Sequence, residues 1–313
     1  MPEPALVQIN GCGPEDVVVD AEGRLLTGVE DGRILRLTAD GARIEVVADT
    51  GGRPLGLEVA GDGRLVVCDA YRGLLRVDPD RGTVETLVHE VGGEPLRLCD
   101  NAAVAADGAV YFSDSSRRFG LRHWQADLLE HSGTGRLLRR DPNGAVEVVL
   151  DGLQFANGVA LAADGSFVAV AETGAYRVSR LWLSGPKAGE RDLLVDNLPG
   201  FPDNLSTGSD GRIWVALPSP RDPVLDWAHA RPPAVRKLVW ALPDRLQPRP
   251  KRTAWVQAVD RAGTVVADLQ TDGERYRMVT GVREHAGRLY LGSLTELAIA
   301  VVDIAPSPSP RRS

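Results

Sequence analysis

The chain has 313 residues, of which 43% are hydrophobic and 25% charged, and its formal net charge is −7. This composition is typical of a globular protein with a sizeable core, and the negative charge argues against nucleic acid or an anionic membrane as a partner. No apolar run approaches the ~20 residues of a membrane span, and the start lacks the pattern of a signal peptide. The widely spaced Cys12, Cys68 and Cys99 show no metal-type pairing and suit a reducing compartment, so a cytoplasmic location is expected.

Six glycines mark polar turns that each follow a short apolar run and precede a second one, which predicts a hairpin at every turn. These are Gly23, Gly63, Gly108, Gly165, Gly211 and Gly287, separated by 40, 45, 57, 46 and 76 residues. A period near 40 with an enlarged third and fifth unit is typical of a β-propeller with four-stranded blades. The sequence therefore predicts an all-β, six-bladed β-propeller.

The last unit is one strand short, because the chain runs out after the apolar stretch 298–304. The stretch 5–10 at the other end supplies the missing strand. Pairing the two ends closes the ring and removes exposed strand edges. We therefore expect a single propeller domain over 1–304, followed by a disordered Pro/Ser-rich tail over 305–313.

Two helical inserts account for the enlarged units. Residues 119–129 and 224–242 carry apolar side chains at helical spacing, and the second stretch is broken at Pro232-Pro233. In a propeller such inserts sit above the disc. They are interpreted as a lid over the axial funnel or, alternatively, as packed surface structures.

One position, eight residues before each turn glycine, is rich in oxygen-bearing side chains. Its occupants are Glu15, Leu55, Asp100, Asn157, Asp203 and Val279. The innermost strands of a propeller line its central channel, so these residues should form a ring around the axis. Facing carboxylates raise one another's pKa, which a bound cation relieves. We predict that Glu15, Asp100, Asn157 and Asp203 bind Ca²⁺, with Mg²⁺, Mn²⁺ or Zn²⁺ as alternatives. The competing interpretation is that these acids cap turns or bond neighbouring strands.

Residues near the ring are candidate substrate contacts. Asn101 directly follows a ring acid and either contacts substrate or orients its neighbours from the other strand face. Trp124, Phe155 and Phe201 are candidates for an apolar wall, although aromatic residues in propellers also pack between blades.

Several segments resemble the strictosidine synthase-like branch of the gluconolactonase and senescence-marker-protein superfamily. They include "GPEDVVVD", "YFSDSS", "FANGVALAADGSFVAVAET" and "DNLPGFPDN", in order along nearly the whole chain. The resemblance implies a six-bladed propeller with an axial divalent cation, often calcium, held by Glu15, Asn157 and Asp203.

The sequence departs from the family pattern at two positions. The third blade has Asp100-Asn101 where the family usually has Asn-Asp, and Thr280 occupies the position of the catalytic glutamate of true strictosidine synthases.

These features predict a metal-dependent hydrolase of lactones or related esters that acts on a small-molecule substrate. The cation would polarise the carbonyl, and Asp203 or Asp100 would act as general base. The alternatives are a cyclising or condensing biosynthetic enzyme that uses the same funnel, and a non-catalytic ligand-binding propeller.

Overall fold

The computed structural model describes residues 1–242 and 249–304; the predicted tail at 305–313 lies outside the described residues. The described residues form six four-stranded antiparallel sheets, and the fold is a six-bladed β-propeller, as predicted. The assignment of 1–304 to one domain stays a prediction. The chain begins with strand β1 (Ala5–Gln8), which belongs to the last blade.

The first three blades follow in chain order. Blade 1 contains β2 (Val17–Val19), β3 (Leu25–Gly28), β4 (Arg33–Leu37) and β5 (Ile44–Asp49). Blade 2 contains β6 (Pro54–Val59), β7 (Leu65–Asp69), β8 (Gly73–Asp78) and β9 (Thr83–Val88). A small hairpin of β10 (Glu90–Val91) and β11 (Glu94–Pro95) precedes blade 3, which contains β12 (Cys99–Val104), β13 (Val110–Asp114), β14 (Gly135–Arg140) and β15 (Val146–Leu153).

The remaining blades repeat this order. Blade 4 contains β16 (Ala156–Leu161), β17 (Phe167–Glu172), β18 (Arg177–Trp182) and β19 (Arg191–Val195). Blade 5 contains β20 (Leu205–Thr207), β21 (Ile213–Ala216), β22 (Ala254–Val259) and β23 (Val265–Thr271). Blade 6 contains β24 (Val279–His285), β25 (Arg288–Ser293) and β26 (Ala298–Asp303), with β1 as its fourth strand.

The two ends of the chain close the ring. Strand β1 pairs antiparallel with β26, with Ala5 opposite Val301 and Gln8 opposite Ala298. This pairing was predicted from the missing strand of the last unit. It covers the edge of β26, which would otherwise present unpaired backbone groups.

The core lies between neighbouring blades. Six clusters of buried apolar residues each join two adjacent blades, and together they pass all the way round the ring. The second strand of a blade is packed on both faces; every residue of β7 and β13 is buried. The outermost strands, such as β9, are largely exposed and carry charge. This gradient explains why apolar runs dominate the inner half of every repeat.

Both inserts connect the second and third strands of their blades, so they leave the disc at the same end. The first contains a 3₁₀ turn (Leu121–His123) and α1 (Trp124–Glu130); the second contains α2 (Pro223–His229) and α3 (Pro233–Trp240). The break between α2 and α3 falls at Pro232-Pro233, as the sequence predicted. None of the helices in the described part of the chain has the length and apolar character needed for a bilayer crossing.

Candidate metal centre and cavity

In four of the six blades, a bulge at the start of the innermost strand turns one side chain towards the axis. The ladder register shifts after the first residue of β6, β12, β16 and β24. A bulge re-aims a side chain out of the regular alternation. The second residue of each of these strands lines one shared cavity. With the residues that precede β2 and β20, they form the axial ring: Glu15, Leu55, Asp100, Asn157, Asp203 and Thr280.

The ring member of blade 6 is Thr280, so the prediction of Val279 is wrong by one residue. Val279 is fully buried in the cluster between blades 5 and 6. The cause lies in the turn. His285 pairs directly with Arg288 across a two-residue hairpin turn, Ala286-Gly287, in which both residues have positive φ. The other blades have longer turns; in blade 1 the Asp20 amide bonds the Arg24 carbonyl. Counting back eight residues from Gly287 therefore reaches Val279, one residue before the true ring position, Thr280.

The ring concentrates acidic groups in a buried place. Glu15 and Asp100 are 3% and 5% exposed. Burial, followed by the nearby charges of Asp203 and Asp100, raises the pKa of Glu15 well above its ordinary value. Burial and the charge of Asp100 raise the pKa of Asp203 in the same direction. Burial also raises the pKa of Asp100, against the hydrogen bond from Ser115. These carboxyls therefore interact with one another, and the ring favours added positive charge.

Two buried oxygens of the ring have no partner in the described structure: Glu15 Oε2 and Asn157 Oδ1. The other Glu15 oxygen, Oε1, accepts a hydrogen bond from Asn204 Nδ2 at 2.9 Å. Asp100 Oδ2 accepts from Ser115 Oγ at 2.6 Å. Unpartnered buried acceptors are costly unless a ligand satisfies them. A set made only of carboxylate and amide oxygens fits a hard cation such as Ca²⁺.

No group of three or more His, Cys, Asp or Glu side chains within residues 1–242 and 249–304 is already arranged as a metal site. The three carboxyls of the candidate set, Glu15, Asp100 and Asp203, therefore do not by themselves form such a group among the described residues. Arg53 supplies part of the missing positive charge. It is buried, lies close enough to lower the pKa of Glu15, and donates to the Gly13 carbonyl at 2.9 Å.

A second layer lies one residue further along each blade, and we call it the lower ring. Its members are Asp16, Gly56, Asn101, Gly158, Asn204 and Gly281. Polar side chains thus alternate with glycine. A β-carbon at Gly56 would lie 2.6 Å from Asn101 Nδ2, one at Gly158 would lie 2.5 Å from the Asn204 carbonyl carbon, and one at Gly281 would lie 2.8 Å from Asp16 Cα. Each glycine therefore leaves space for the polar residue of the neighbouring blade.

The polar members of the lower ring mostly bond backbone amides across a blade boundary. Asp16 accepts from Leu57 N at 3.0 Å, and Asn101 Oδ1 accepts from Val159 N at 2.9 Å. Asn101 is 2% exposed and does not line the cavity. Its position therefore corrects the prediction of a direct substrate contact and agrees with the alternative of a supporting residue. Asn204 differs from both, because its side-chain amide reaches Glu15 in the axial ring.

A cavity lies above the ring; its empty space, counted together with the open solvent at its mouth, is about 1100 Å³. The predicted aromatic residues Trp124, Phe155 and Phe201 all line it. Leu55, Leu98, Leu128 and Phe155 pack into one apolar cluster, against which Trp124 and Phe201 lie. Helices α1 and α2 contribute Leu129 and Leu225, and Trp240 lines the cavity from α3. The inserts therefore lie over the funnel, as the lid interpretation requires.

Sequence reasoning missed Ser115, Asp16 and the link from Asn204 to Glu15. Ser115 follows the second strand of blade 3, and nothing in its local sequence distinguishes it from a turn serine. The lower ring had a visible signal. The residue after each predicted ring position is Asp or Asn in blades 1, 3 and 5 and glycine in blades 2 and 4; in blade 6, Gly281 fits the pattern only once Thr280 replaces Val279. The link between Asn204 and Glu15 joins residues 189 positions apart, which a single sequence does not reveal.

Comparison with known proteins defines the class. The strictosidine synthase family matches residues 100–186, and the strictosidine synthase-like N-terminal family matches residues 6–37. The adipocyte plasma membrane-associated protein of Rattus norvegicus is 34% identical over 311 residues, covering 91% of this chain and 81% of that protein. Protein strictosidine synthase-like 10 of Arabidopsis thaliana is 34% identical over 335 residues, covering 97% and 88%. The chain belongs to the strictosidine synthase-like family.

Solved structures share the fold at lower sequence identity. A gluconolactonase from Xanthomonas campestris superposes with a TM-score of 0.71 at 19% identity, covering 97% of this chain and 91% of that one. The calcium-binding protein regucalcin from Agrobacterium tumefaciens superposes with a TM-score of 0.65 at 14% identity, covering 95% and 91%. These two structures show the same fold as the described residues.

Proposed function

We propose that this protein is a metal-dependent hydrolase of lactones or related esters, with Ca²⁺ as the expected ion. The observation that carries the proposal is the pair of buried, unpartnered oxygens, Glu15 Oε2 and Asn157 Oδ1, among three carboxyls at one end of the cavity. The gluconolactonase and calcium-binding regucalcin with the same fold support this choice.

Glu15, Asp100, Asn157 and Asp203 would hold the ion. When bound, a divalent cation polarises an ester carbonyl and stabilises negative charge that develops on its oxygen. Asn204 holds one oxygen of Glu15 and Ser115 holds one oxygen of Asp100, so these two carboxylates have restricted orientations. Preorganised ligands of this kind favour metal binding.

The chain's own acids supply proton transfer. Asp203 or Asp100 accepts a proton from the attacking water as its oxygen bonds to the carbonyl carbon. The ester C–O bond then breaks, and the proton passes to the leaving alkoxide. For a lactone, the product is a single hydroxy acid. The apolar wall of Trp124, Phe155 and Phe201 would orient the carbon skeleton and exclude bulk water.

A condensing or cyclising activity is the second candidate, because the chain belongs to the strictosidine synthase-like family. Thr280 occupies the position that corresponds to the synthase glutamate. Its hydroxyl donates to the Glu15 carbonyl at 2.7 Å. Blade 6 thus offers no carboxylate at this position of the cavity, and this observation weighs against condensation by the synthase route.

The deciding experiment is a panel of γ- and δ-lactones and aryl esters, assayed with Ca²⁺ and with excess chelator. We expect turnover with Ca²⁺, loss with chelator, and a higher melting temperature in the presence of the ion, because it binds only the folded ring. If the ion binds but no substrate turns over, the hydrolase proposal is refuted and a binding or biosynthetic role is favoured instead. If melting curves are identical and elemental analysis finds no metal, the metal proposal is refuted as well.

A further inference from the structure

The second insert has a charge opposite to that of the whole chain. We define the mouth segment as residues 221–242 and 249–252, which include α2 and α3. It contains seven Lys and Arg residues and only two Asp residues, whereas the chain carries a net charge of −7. The overall charge disfavours contact with an anionic surface, but binding at a surface depends on the local field of the side that faces it.

The exposed charges of the mouth segment are all basic. Arg231, Lys237, Arg249, Lys251 and Arg252 are exposed, while Asp222 and Asp226 are only partly exposed. Both acids are also engaged: the Asp222 carboxylate caps α2 by accepting from Val224 N at 2.8 Å, and Asp226 accepts from Arg221 at 3.2 Å. The surface that this segment presents to solvent is therefore cationic.

Large apolar side chains lie among these cations. Leu238 is 68% exposed and Trp227 is 50% exposed, and Val224 and Trp240 are also exposed. Trp227 and Trp240 are the exposed tryptophans among the described residues, and the Arg231 guanidinium lies 5.4 Å from the Trp227 ring. Tryptophan, leucine and basic residues that occur together on short helices, as they do here on α2, on α3 and between them, are typical of segments that lie in a membrane interface.

The mouth segment is also continuous with the cavity, because Trp240 and Arg249 line the cavity and are exposed as well. A second copy of this chain fits the surface poorly, since two cationic faces repel each other. Nucleic acid fits poorly too, because Val224 and Leu238 offer neither stacking nor hydrogen bonds. An anionic lipid surface accommodates both the cations and the aliphatic side chains.

We propose that the mouth segment docks peripherally on an anionic lipid bilayer, with the cavity entrance facing the lipid. The basic residues meet the lipid phosphate and carboxylate groups. Trp227, Leu238 and Val224 enter the interfacial region. Apolar molecules dissolved in the bilayer then reach the cavity without crossing bulk water. This inference stands apart from the proposed hydrolysis, because it concerns the surface and requires no metal.

Vesicle sedimentation tests the proposal with the full chain. We expect co-sedimentation with vesicles of phosphatidylcholine and phosphatidylserine, little with phosphatidylcholine alone, and weaker binding as salt rises. The single substitutions Arg231→Gln and Lys237→Gln should each lower the partitioning of the protein onto anionic vesicles about five-fold. Trp227→Ser with Leu238→Ser should reduce it further by removing the apolar contacts.

A matched control removes equivalent groups from the opposite face of the disc. Arg81 and Val265 lie beside turns between third and fourth strands, away from the inserts, and both are exposed. Arg81→Gln with Val265→Ser should bind vesicles like the wild type. All variants alter exposed side chains and should keep the wild-type melting temperature.

Four results would overturn the proposal. One is wild-type protein that stays in the supernatant with anionic vesicles. Another is equal binding by the mouth and control variants, or equal binding to neutral vesicles. The last is a dimer in light scattering that the mouth substitutions abolish, which would assign the surface to self-association.

Discussion

In blades 1, 3 and 5, the axial ring and the lower ring place acids or amides one position apart, but most of their oxygens have different partners. The exception is Asn204 Oδ1 in the lower ring, which has no hydrogen-bond partner in the described structure. In the axial ring, Glu15 Oε2 and Asn157 Oδ1 have no partner and the residues face a cavity. In the lower ring, Asp16 and Asn101 bond backbone amides of the next blade. Residue type alone therefore does not identify a ligand site. The backbone at the start of the innermost strand decides which side chain meets the cavity and which one bonds the neighbouring blade; in blade 3, a bulge places Asp100 in the cavity and Asn101 against blade 4.

The largest expected effect is at Asp203. Asp203→Asn retains an oxygen ligand and the side-chain volume but removes a base and a negative charge. We expect ester and lactone hydrolysis to fall by roughly 10²–10⁴-fold while the fold survives. The matched control is Asp16→Asn, the same chemical change in the lower ring, which should alter stability but change hydrolysis far less. Equal losses of activity in the two variants would remove the distinction between the rings.

Asn204 is the point at which the two rings touch, and it should affect metal binding. Asn204→Leu removes the hydrogen bond to Glu15 and should weaken Ca²⁺ binding by roughly 10–100-fold, the usual effect of losing a residue that orients a ligand. Asn101→Leu is the control, since Asn101 bonds Val159 N and Asp16 but no axial-ring side chain. Calorimetric titration with Ca²⁺ measures both. If Asn101→Leu weakens binding as much, then Asn204 acts only through the fold.

The glycines of the lower ring should tolerate no side chain. A β-carbon at Gly158 would lie 2.2 Å from Leu205 N, so Gly158→Ala must displace blade 5. We expect a loss of about 1–3 kcal/mol in the free energy of unfolding, typical of overpacking. Gly61→Ala is the comparison, because no atom lies within 4 Å of a β-carbon there. If the two variants give the same unfolding curve in denaturant, then neighbouring blades can move apart without loss of stability and the prediction is wrong.

The smallest effect is expected at Asp100. Asp100→Asn restores the residue that the family usually has and keeps an oxygen that Ser115 can still contact. Hydrolysis should fall by less than about 10-fold if Asp203 is the general base. A loss at Asp100 larger than that at Asp203, measured as kcat/KM on the same lactone, would reassign the base to Asp100.

The sequence was sufficient to predict the propeller, because every blade repeats the same apolar run, turn and apolar run. It also identified five of the six axial-ring residues, since a common register implies a common position around the axis. It was wrong at Val279 because turn length varies locally and a one-residue difference shifts the register. It did not separate Asn101 from Asn204, because both follow a ring acid and only their contacts with distant blades distinguish them.

The pairing of β1 with β26 has a consequence for synthesis of the protein. Strand β1 leaves the ribosome before every other strand of the propeller, but its partner is made almost three hundred residues later. Until then, Leu6 and Val7 belong to a strand without a sheet, and the apolar faces that blades 1 and 6 turn towards each other are not yet covered. The nascent ring can therefore close only after translation of blade 6 is complete, so a chain that stops earlier has no route to the closed propeller.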